Sequence, residues 1–198
     1  MLIILSGPSG SGKDTILTEL SKRDSNVQVS ISLTTRPARD WEIDGFHYFF
    51  MTEEQFQEKL KNNEVLEYAK YGQNYYGTPK GPIDKWLEEG KTVILKIEVQ
   101  GAEKIRKVYP DVISIFLMPP SMEVLEERLR CRESEDEEDI QRRLKIAKDE
   151  INRSNEYDYV VFNDVVDYAV CDLSTIIKAE SLKRKRLTNK INEVMNNA

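Results

Sequence analysis

The hydrophobic positions of this 198-residue chain fall into short unbroken runs, and the stretches between them have helical spacing. The apolar runs occupy residues 1–6, 92–97, 112–118 and 159–162. Runs of this length without polar alternation are typical of strands that are covered on both faces. Strands that alternate with helices in this way predict a parallel sheet and an α/β core.

Local signals indicate where helices begin and end. Residues 12–23 have helical spacing directly after the first apolar run. Thr52 and Gln55 form a capping-box pair, which predicts a helix over residues 52–62. Pro82 suits the first turn of another helix, and Gly90 suits the position just after its end.

Two segments interrupt the alternation. Residues 32–78 are rich in aromatic residues, arginines and glycines and contain one clear helix, so we expect an inserted lobe. Residues 128–151 are highly charged and form a second insert. The sequence has no repeats and no low-complexity linker, so we expect a single domain over 1–198. The core of that domain comprises residues 1–31, 79–127 and 152–198.

The charge distribution narrows the class of partners. The net charge is −6, from 29 basic and 35 acidic residues, which argues against general binding to nucleic acids or anionic membranes. Near the C-terminus, apolar residues keep helical spacing over 173–195, beside a basic run at 183–186. We interpret this run as part of a solvated helix face, not as a nucleic-acid patch.

Cysteine usage and hydropathy favour the cytoplasm. Cys131 and Cys171 lie 40 positions apart and have no neighbouring Cys or His at metal-ligand spacing. We therefore expect neither a disulfide framework nor a zinc site. Because no apolar run approaches the roughly 18 residues that span a bilayer, we expect a soluble, unprocessed protein.

A glycine-rich motif lies between the first strand and the first helix. Its sequence, G-x-x-x-x-G-K, consists of Gly7, Pro8, Ser9, Gly10, Ser11, Gly12 and Lys13. Glycines let consecutive backbone N–H groups turn inward around phosphate oxygens, and the helix start adds positive potential. The lysine supplies a full positive charge, so the motif predicts a nucleotide-phosphate site.

The residue after the lysine departs from the usual phosphate loop. A hydroxyl that contacts Mg²⁺ is usual there, but this chain has Asp14, with Thr15 one position later. We therefore expect Mg²⁺ to be held mainly by ATP phosphates and water, with Asp14 as the candidate protein ligand.

Further motifs, in their order and spacing, resemble guanylate kinases over nearly the whole chain. Four of them lie in the predicted lobe: SLTTRPAR at 32–39, DGFHYFF at 44–50, EYA at 67–69 and NYYGT at 74–78. Later matches are RLRCR at 128–132, IQRRL at 140–144 and VFND at 161–164. The resemblance implies a P-loop nucleoside monophosphate kinase fold, with a parallel-sheet core, a GMP-binding lobe at 32–78 and a mobile lid at 128–151.

The resemblance also implies an activity and its site residues. The γ-phosphate of ATP would pass to GMP, and to dGMP, with Mg²⁺ as cofactor. The phosphate of GMP would be held by Arg36, Arg39, Tyr48 and Tyr76. Guanine would be read by Ser32, Glu67 and Thr78, and Glu98 would order the GMP side. The lid arginines would be Arg132 and Arg143, and the ATP side would include Asn163.

One position in the resemblance is altered. Guanylate kinases commonly have two acids separated by one residue before Gln-Gly, but here Lys96 replaces the first acid and Glu98 remains. Since the position of Lys96 and that of Asp14 normally flank the same Mg²⁺ water shell, we interpret the two changes as a compensating exchange. The hypothesis predicts that the Asp14 carboxylate lies within about 4 Å of the Lys96 ammonium.

The sequence leaves two other functions open. One is a non-catalytic guanylate-kinase-like module that binds phosphopeptides; Lys13 and the lid arginines argue against it. The other is a related kinase with a different acceptor, such as a ribose bisphosphate; Glu67 and Thr78 favour guanine instead. His47, the single histidine, is assigned a surface role, and the sequence leaves open whether the chain forms a homo-oligomer.

Overall fold

The computed structural model describes residues 1–131 and 137–196 and contains two β-sheets with helices around them. The strands are β1 (Leu2–Ser6), β2 (Val27–Ser30), β3 (Leu33–Thr34), β4 (Phe49–Phe50), β5 (Val65–Tyr71), β6 (Asn74–Pro79), β7 (Thr92–Lys96), β8 (Ile113–Met118) and β9 (Tyr159–Phe162). The α-helices are α1 (Lys13–Arg23), α2 (Glu53–Lys61), α3 (Lys80–Glu88), α4 (Val99–Val108), α5 (Met122–Arg130), α6 (Glu137–Asn152), α7 (Val166–Ser181) and α8 (Thr188–Asn196).

The larger sheet is entirely parallel and has the strand order β2-β7-β1-β8-β9. β1 lies at its centre, where Ile4 is opposite Leu95 of β7 and Ser114 of β8. The carboxyl ends of parallel strands meet at one edge of a sheet, and the loops that follow them form the usual ligand crevice of this architecture. The α/β core expected from the sequence is confirmed.

Alternate residues of β1 face two separate hydrophobic layers. Ile3 and Leu5 pack in the layer that includes α1 and α7, whereas Leu2 and Ile4 pack in the layer that includes α3 and α4. All four side chains are at most 6% exposed. Because both faces of the strand are buried, its sequence is apolar throughout and lacks alternation.

The smaller sheet has the order β4-β3-β6-β5, and its strands all lie within residues 33–79. The helix beside it, α2, begins with the expected capping box. Thr52 Oγ1 accepts a hydrogen bond from the Gln55 backbone N–H at 3.3 Å, and Gln55 Oε1 accepts one from the Thr52 N–H at 2.9 Å. Phe56 of α2 is fully buried and stacks on Tyr75 of β6, which fixes the helix against the sheet.

Helix α6, which lies almost entirely in the predicted lid, forms a small core with α5, most of which precedes the predicted lid boundary at residue 128. Leu125 and Leu129 of α5 pack against Ile140, Leu144 and Ala147 of α6. The predicted lid residue Arg132 lies outside the described residues. The division of the chain into core, GMP-binding lobe and lid stays a prediction.

The C-terminal segment differs from the continuous helix face expected from its apolar spacing. Helix α7 ends at Ser181, and the basic run adopts a 3-10 turn at Arg184–Arg186 before α8 begins. Lys185 pairs with Asp111, and the Arg186 guanidinium donates to the Asp111 carbonyl at 3.3 Å. These contacts hold the turn beside the start of β8. Helical periodicity cannot predict them, because they join residues that are far apart in the sequence.

Cys131 and Cys171 are both exposed free thiols. Within residues 1–131 and 137–196, no helix is both long enough and apolar enough to cross a bilayer.

Candidate active site

The glycine-rich loop connects the central strand β1 to α1 at the carboxyl edge of the larger sheet. Gly7 has φ 152° and Gly12 has φ 93°, values that residues with a Cβ rarely adopt. A Cβ on Gly7 would lie 2.3 Å from the Leu117 carbonyl oxygen, and a Cβ on Gly12 would lie 2.2 Å from Asn163 Nδ2. Both glycines are therefore required by the backbone conformation and by the close packing of the loop.

Lys13, the first residue of α1, folds its side chain back over this loop. Its Nζ donates hydrogen bonds to the carbonyl oxygens of Gly7 at 2.6 Å and Pro8 at 3.1 Å. Burial lowers the pKa of Lys13, and the nearby carboxylates, of which Glu150 acts most strongly, oppose that effect. The ammonium is thus held inside the loop, where phosphate oxygens would be stronger partners than carbonyl groups.

Two side chains from distant parts of the chain support the loop. Asn163, which follows β9 and is 2% exposed, donates from Nδ2 to the Ser11 carbonyl at 2.7 Å. Arg143 of α6 donates from Nη1 to Ser9 Oγ at 3.0 Å. The predicted lid helix therefore contacts the phosphate loop directly. A contact between Asn163 and ATP stays a prediction, since in the structure its amide holds the loop.

Three of the four residues predicted to bind the acceptor phosphate lie close together. The rings of Tyr48 and Tyr76 have centroids 6.1 Å apart, and Arg36 Cζ lies 5.6 Å from the Tyr48 centroid. Burial raises the pKa of Tyr48, so this phenol stays protonated and can donate a hydrogen bond. A guanidinium beside two phenols suits a phosphate dianion. We call Arg36, Tyr48 and Tyr76 the acceptor cluster.

Glu42 organises this region, and the sequence analysis did not identify it. Its Oε1 accepts a 2.7 Å hydrogen bond from Arg36 Nη2, and its Oε2 accepts one from the Arg39 backbone N–H at 2.8 Å. The hydrogen bond from Arg36 lowers the pKa of Glu42. The guanidinium of Arg39, the fourth predicted residue, lies over the exposed Trp41 ring at 5.9 Å. No pattern in the sequence distinguishes Glu42 from the nearby Asp40.

His47 holds the same loop in shape. Its Nδ1 accepts a hydrogen bond from the Ile43 backbone N–H at 3.0 Å. Its ring also makes edge contacts with Trp41 and Phe46, at centroid distances of 5.4 and 4.9 Å. These contacts suit a structural role.

The residues predicted to read the base include a buried hydrogen-bonded pair. Glu67 of β5 and Thr78 of β6 are register partners, and Thr78 Oγ1 donates to Glu67 Oε1 at 2.7 Å. Glu67 is 8% exposed, and its burial raises the pKa of the carboxyl group, an effect that Thr78 and Lys104 oppose. Ser32 lies just before β3, where its carbonyl accepts from the Phe49 N–H at 2.9 Å.

The distance predicted between the Asp14 carboxylate and the Lys96 ammonium is confirmed. Lys96 Nζ lies 2.5 Å from Asp14 Oδ1, well within the expected limit of about 4 Å. Desolvation acts to lower the pKa of Lys96, but Asp14 and Tyr48 raise it by more, so the net direction is upward. The two departures from the family pattern thus form one ion pair.

Two acids besides Asp14 lie around Lys13. Glu98 is the N-cap residue of α4. Glu150 of α6 was not identified from the sequence, and burial and the charge of Glu98 raise its pKa to about 7, against the opposing effect of Lys13. It follows Arg143 by seven residues, so the two share one face of the helix. That spacing is the sequence signal that points to Glu150.

The phosphate loop follows the central strand of a parallel sheet, and Lys96 links it to the acceptor cluster. A helix also contacts this loop. Together these features define a P-loop nucleoside monophosphate kinase fold. The family model described as "Guanylate kinase" matches residues 1–180. The chain therefore belongs to the guanylate kinase family.

Individual relatives agree with this assignment. The chain is 46% identical to "Guanylate kinase" of Carboxydothermus hydrogenoformans over 191 residues, which cover 96% of this chain and 94% of that one. It is 47% identical to "Guanylate kinase" of Halalkalibacterium halodurans, with coverage of 98% and 96%. The crystal structure of guanylate kinase from Anaplasma phagocytophilum matches with a TM-score of 0.77 at 34% identity, covering 94% of this chain and 88% of that one.

Proposed function

We propose that this protein transfers the γ-phosphate of ATP to GMP, and to dGMP, giving ADP and GDP or dGDP. The observation that carries the proposal is the buried Glu67 carboxylate, held by Thr78 at 2.7 Å on the smaller sheet. Guanine presents a ring N–H and an exocyclic amine that one carboxylate can accept together. Adenine lacks this pair of donors, so Glu67 would select guanine through the cost of an unpaired buried acceptor.

Each part of the site has a role in this reaction. The ATP phosphates would lie in the loop of residues 7–13 and contact the start of α1 at Asp14 and Thr15, with Asn163 supporting the loop. The acceptor cluster and Arg39 would hold the GMP phosphate, and Glu98 would order the same side. Lys13, Arg36 and the lid residues Arg132 and Arg143 would neutralise the charge that spreads over the transferred group.

Mg²⁺ is part of the proposal as an ion that arrives with ATP. Within the described residues, no group of three or more His, Cys, Asp or Glu side chains could hold a metal ion. Asp14, whose side chain is 77% exposed beside Lys13, is a carboxylate of the kind that suits an outer, water-mediated contact. Mg²⁺ would neutralise charge on the ATP phosphates, and Asp14 would orient its water shell.

The three-part division of the chain belongs to the same proposal. Core residues 1–31, 79–127 and 152–198 would bind ATP, the lobe of residues 32–78 would bind GMP, and the lid of residues 128–151 would close over the phosphates. The contact from Arg143 to Ser9 supports a lid that reaches the loop. ATP and GMP are the expected partners, and a cytoplasmic location suits both.

The test is ADP release from ATP and Mg²⁺ by the purified protein, with GMP, dGMP, AMP, CMP and UMP compared as acceptors. Turnover selective for GMP and dGMP, and lost in Lys13→Ala, is the expected result. GMP binding without turnover of any acceptor would favour the binding module. Neither turnover nor GMP binding would favour a kinase for another acceptor.

A further inference from the structure

Lys96 ends β7 with its side chain between the phosphate loop and the acceptor cluster. Its Nζ lies 2.5 Å from Asp14 Oδ1 on one side and 5.6 Å from the centroid of the Tyr48 ring on the other. Arg36 Cζ lies at the same distance, 5.6 Å, from that ring. Two cations therefore face one phenol, and that phenol belongs to the acceptor cluster.

We propose that Lys96 is a direct ligand of the acceptor phosphate, in addition to the arginines and tyrosines. The inference rests on the proposed function, because it places Lys96 on the GMP side of that reaction. Under this proposal, Lys96 does more than compensate the charge of Asp14 near the metal: it also binds the substrate. The chain would then have a cation at a position where the guanylate kinase pattern commonly has an acid.

The ion pairs explain why Lys96 is the cation available to a new ligand. Arg36 is bound to Glu42, whose side chain is 3% exposed and is also fixed by the Arg39 backbone. Lys96 is bound to Asp14, whose side chain is 77% exposed. Water can solvate Asp14 as soon as it loses the lysine, whereas a buried Glu42 would be left with an unpaired charge. Lys96 therefore exchanges partners at a lower cost than Arg36.

A nucleotide phosphate attracts the Lys96 ammonium more strongly than the Asp14 carboxylate does. It carries nearly two negative charges at neutral pH, whereas the Asp14 carboxylate carries one. The Lys96 side chain is 22% exposed, so its charge is partly shielded from solvent and its attraction for a dianion is stronger than at an open surface. A compact ammonium with three N–H donors can also turn between two acceptors.

The experiment separates the phosphate of GMP from its base. GMP and guanosine are titrated by calorimetry, without ATP or Mg²⁺, into the wild-type protein, Lys96→Met and the control Lys22→Met. Lys22 pairs with Glu19 at 2.7 Å on the exposed surface of α1. Lys96→Met is expected to weaken GMP binding by about tenfold or more, the usual value of a charged hydrogen bond, and guanosine binding by less than about twofold. Lys22→Met should change neither.

A second variant tests the partner exchange. Asp14→Asn removes the carboxylate that competes for Lys96, so GMP should bind as tightly as to the wild type or more tightly. Loss of GMP affinity in Asp14→Asn equal to that in Lys96→Met would overturn the proposal, since the intact pair would then be what matters. Melting temperatures of all variants identify any that fail to fold.

Other outcomes also decide against Lys96 as a phosphate ligand. Equal weakening of GMP and guanosine would mean that Lys96 shapes the lobe. Unchanged GMP binding with a raised Mg²⁺ requirement in turnover would place Lys96 on the metal side. If the wild type binds GMP but releases no ADP, the proposed function fails while the titrations still test Lys96. If the wild type does not bind GMP, both proposals fail.

Discussion

Gly101 of α4 faces the Glu67 carboxylate so closely that a Cβ at this position would lie 2.8 Å from Glu67 Oε2. Gly101 is buried, and Glu67 is held on its other oxygen by Thr78. The side of α4 therefore forms one wall of the predicted guanine site. This contact ties the helix that follows β7 to the smaller sheet.

Gly101→Ala should raise the KM for GMP by about tenfold, because the new methyl group must displace the Glu67 carboxylate or the helix. Contacts tighter than van der Waals distance in a packed region typically cost about 1–3 kcal/mol. The measurement is steady-state kinetics with GMP varied at saturating ATP, where the KM for ATP should stay within about twofold.

Gly81→Ala is the matched control, since Gly81 is also helical but, its chain neighbours apart, a Cβ there would meet nothing within 4 Å. This variant should keep its KM for GMP, because the added methyl group does not contact Glu67. Equal kinetic effects of the two substitutions would mean that Gly101 does not shape the site.

Lys13→Met should remove activity without unfolding the protein. We expect kcat to fall by about 10²–10³-fold, the usual loss when one preorganised charge is deleted from a polar transition-state site. Burial lowers the pKa of Lys13, which means that its charged form is disfavoured in the folded state. The melting temperature at neutral pH should therefore stay unchanged or rise. A fall of several degrees would show that Lys13 is needed for the structure of the loop.

The patterns that the sequence predicted well are those fixed by neighbouring residues. The strands at 92–96, 113–118 and 159–162 coincide within one residue with the apolar runs. In the first two strands, burial of both faces leaves no room for polar alternation. The expectation of burial on both faces is wrong for the third, an edge strand in which Val160 is 42% and Phe162 is 59% exposed. The capping box at Thr52 depends on two residues three positions apart. The phosphate loop was recognisable for the same reason, since its spacing is local.

The features that the sequence missed depend on contacts between distant residues. The turn at Arg184–Arg186 is held by Asp111, 74 positions from Lys185. Glu42 matters because its burial beside Arg36 makes it the fixed partner of that guanidinium. The ion pair between Lys96 and Asp14 could be predicted although the two residues are 82 positions apart. The prediction came from the family pattern, in which both positions lie beside the same metal ion.

Asn163→Ala should weaken ATP binding while leaving GMP binding intact. The Asn163 amide donates at 2.7 Å to the Ser11 carbonyl, and its loss leaves that buried group without this donor. We expect a loss of about 1–3 kcal/mol of stability and a rise of several-fold in the Kd for ATP. Calorimetric titration with ATP and with GMP provides the comparison. Equal Kd values for ATP in variant and wild type would show that the loop keeps its shape without Asn163.

Glu150→Gln should change the pH dependence of stability in a defined direction. The pKa of Glu150 is raised from 4.5 to about 7 by burial and by Glu98. Between these two values the unfolded chain ionises this carboxyl group while the folded chain does not, so wild-type stability falls as pH rises from 4.5 to 7. Glutamine resembles the protonated acid at every pH and avoids this loss.

The variant should therefore gain stability relative to the wild type between pH 5 and pH 8, by about 1–3 kcal/mol after allowance for partial solvent exposure. Urea unfolding of both proteins at the two pH values measures this difference. Asp149→Asn, at the neighbouring exposed position of α6, is the control and should show no such change. A Glu150→Gln effect that is the same at pH 5 and pH 8 would show that Glu150 is ionised across this range, with Lys13 compensating its charge fully.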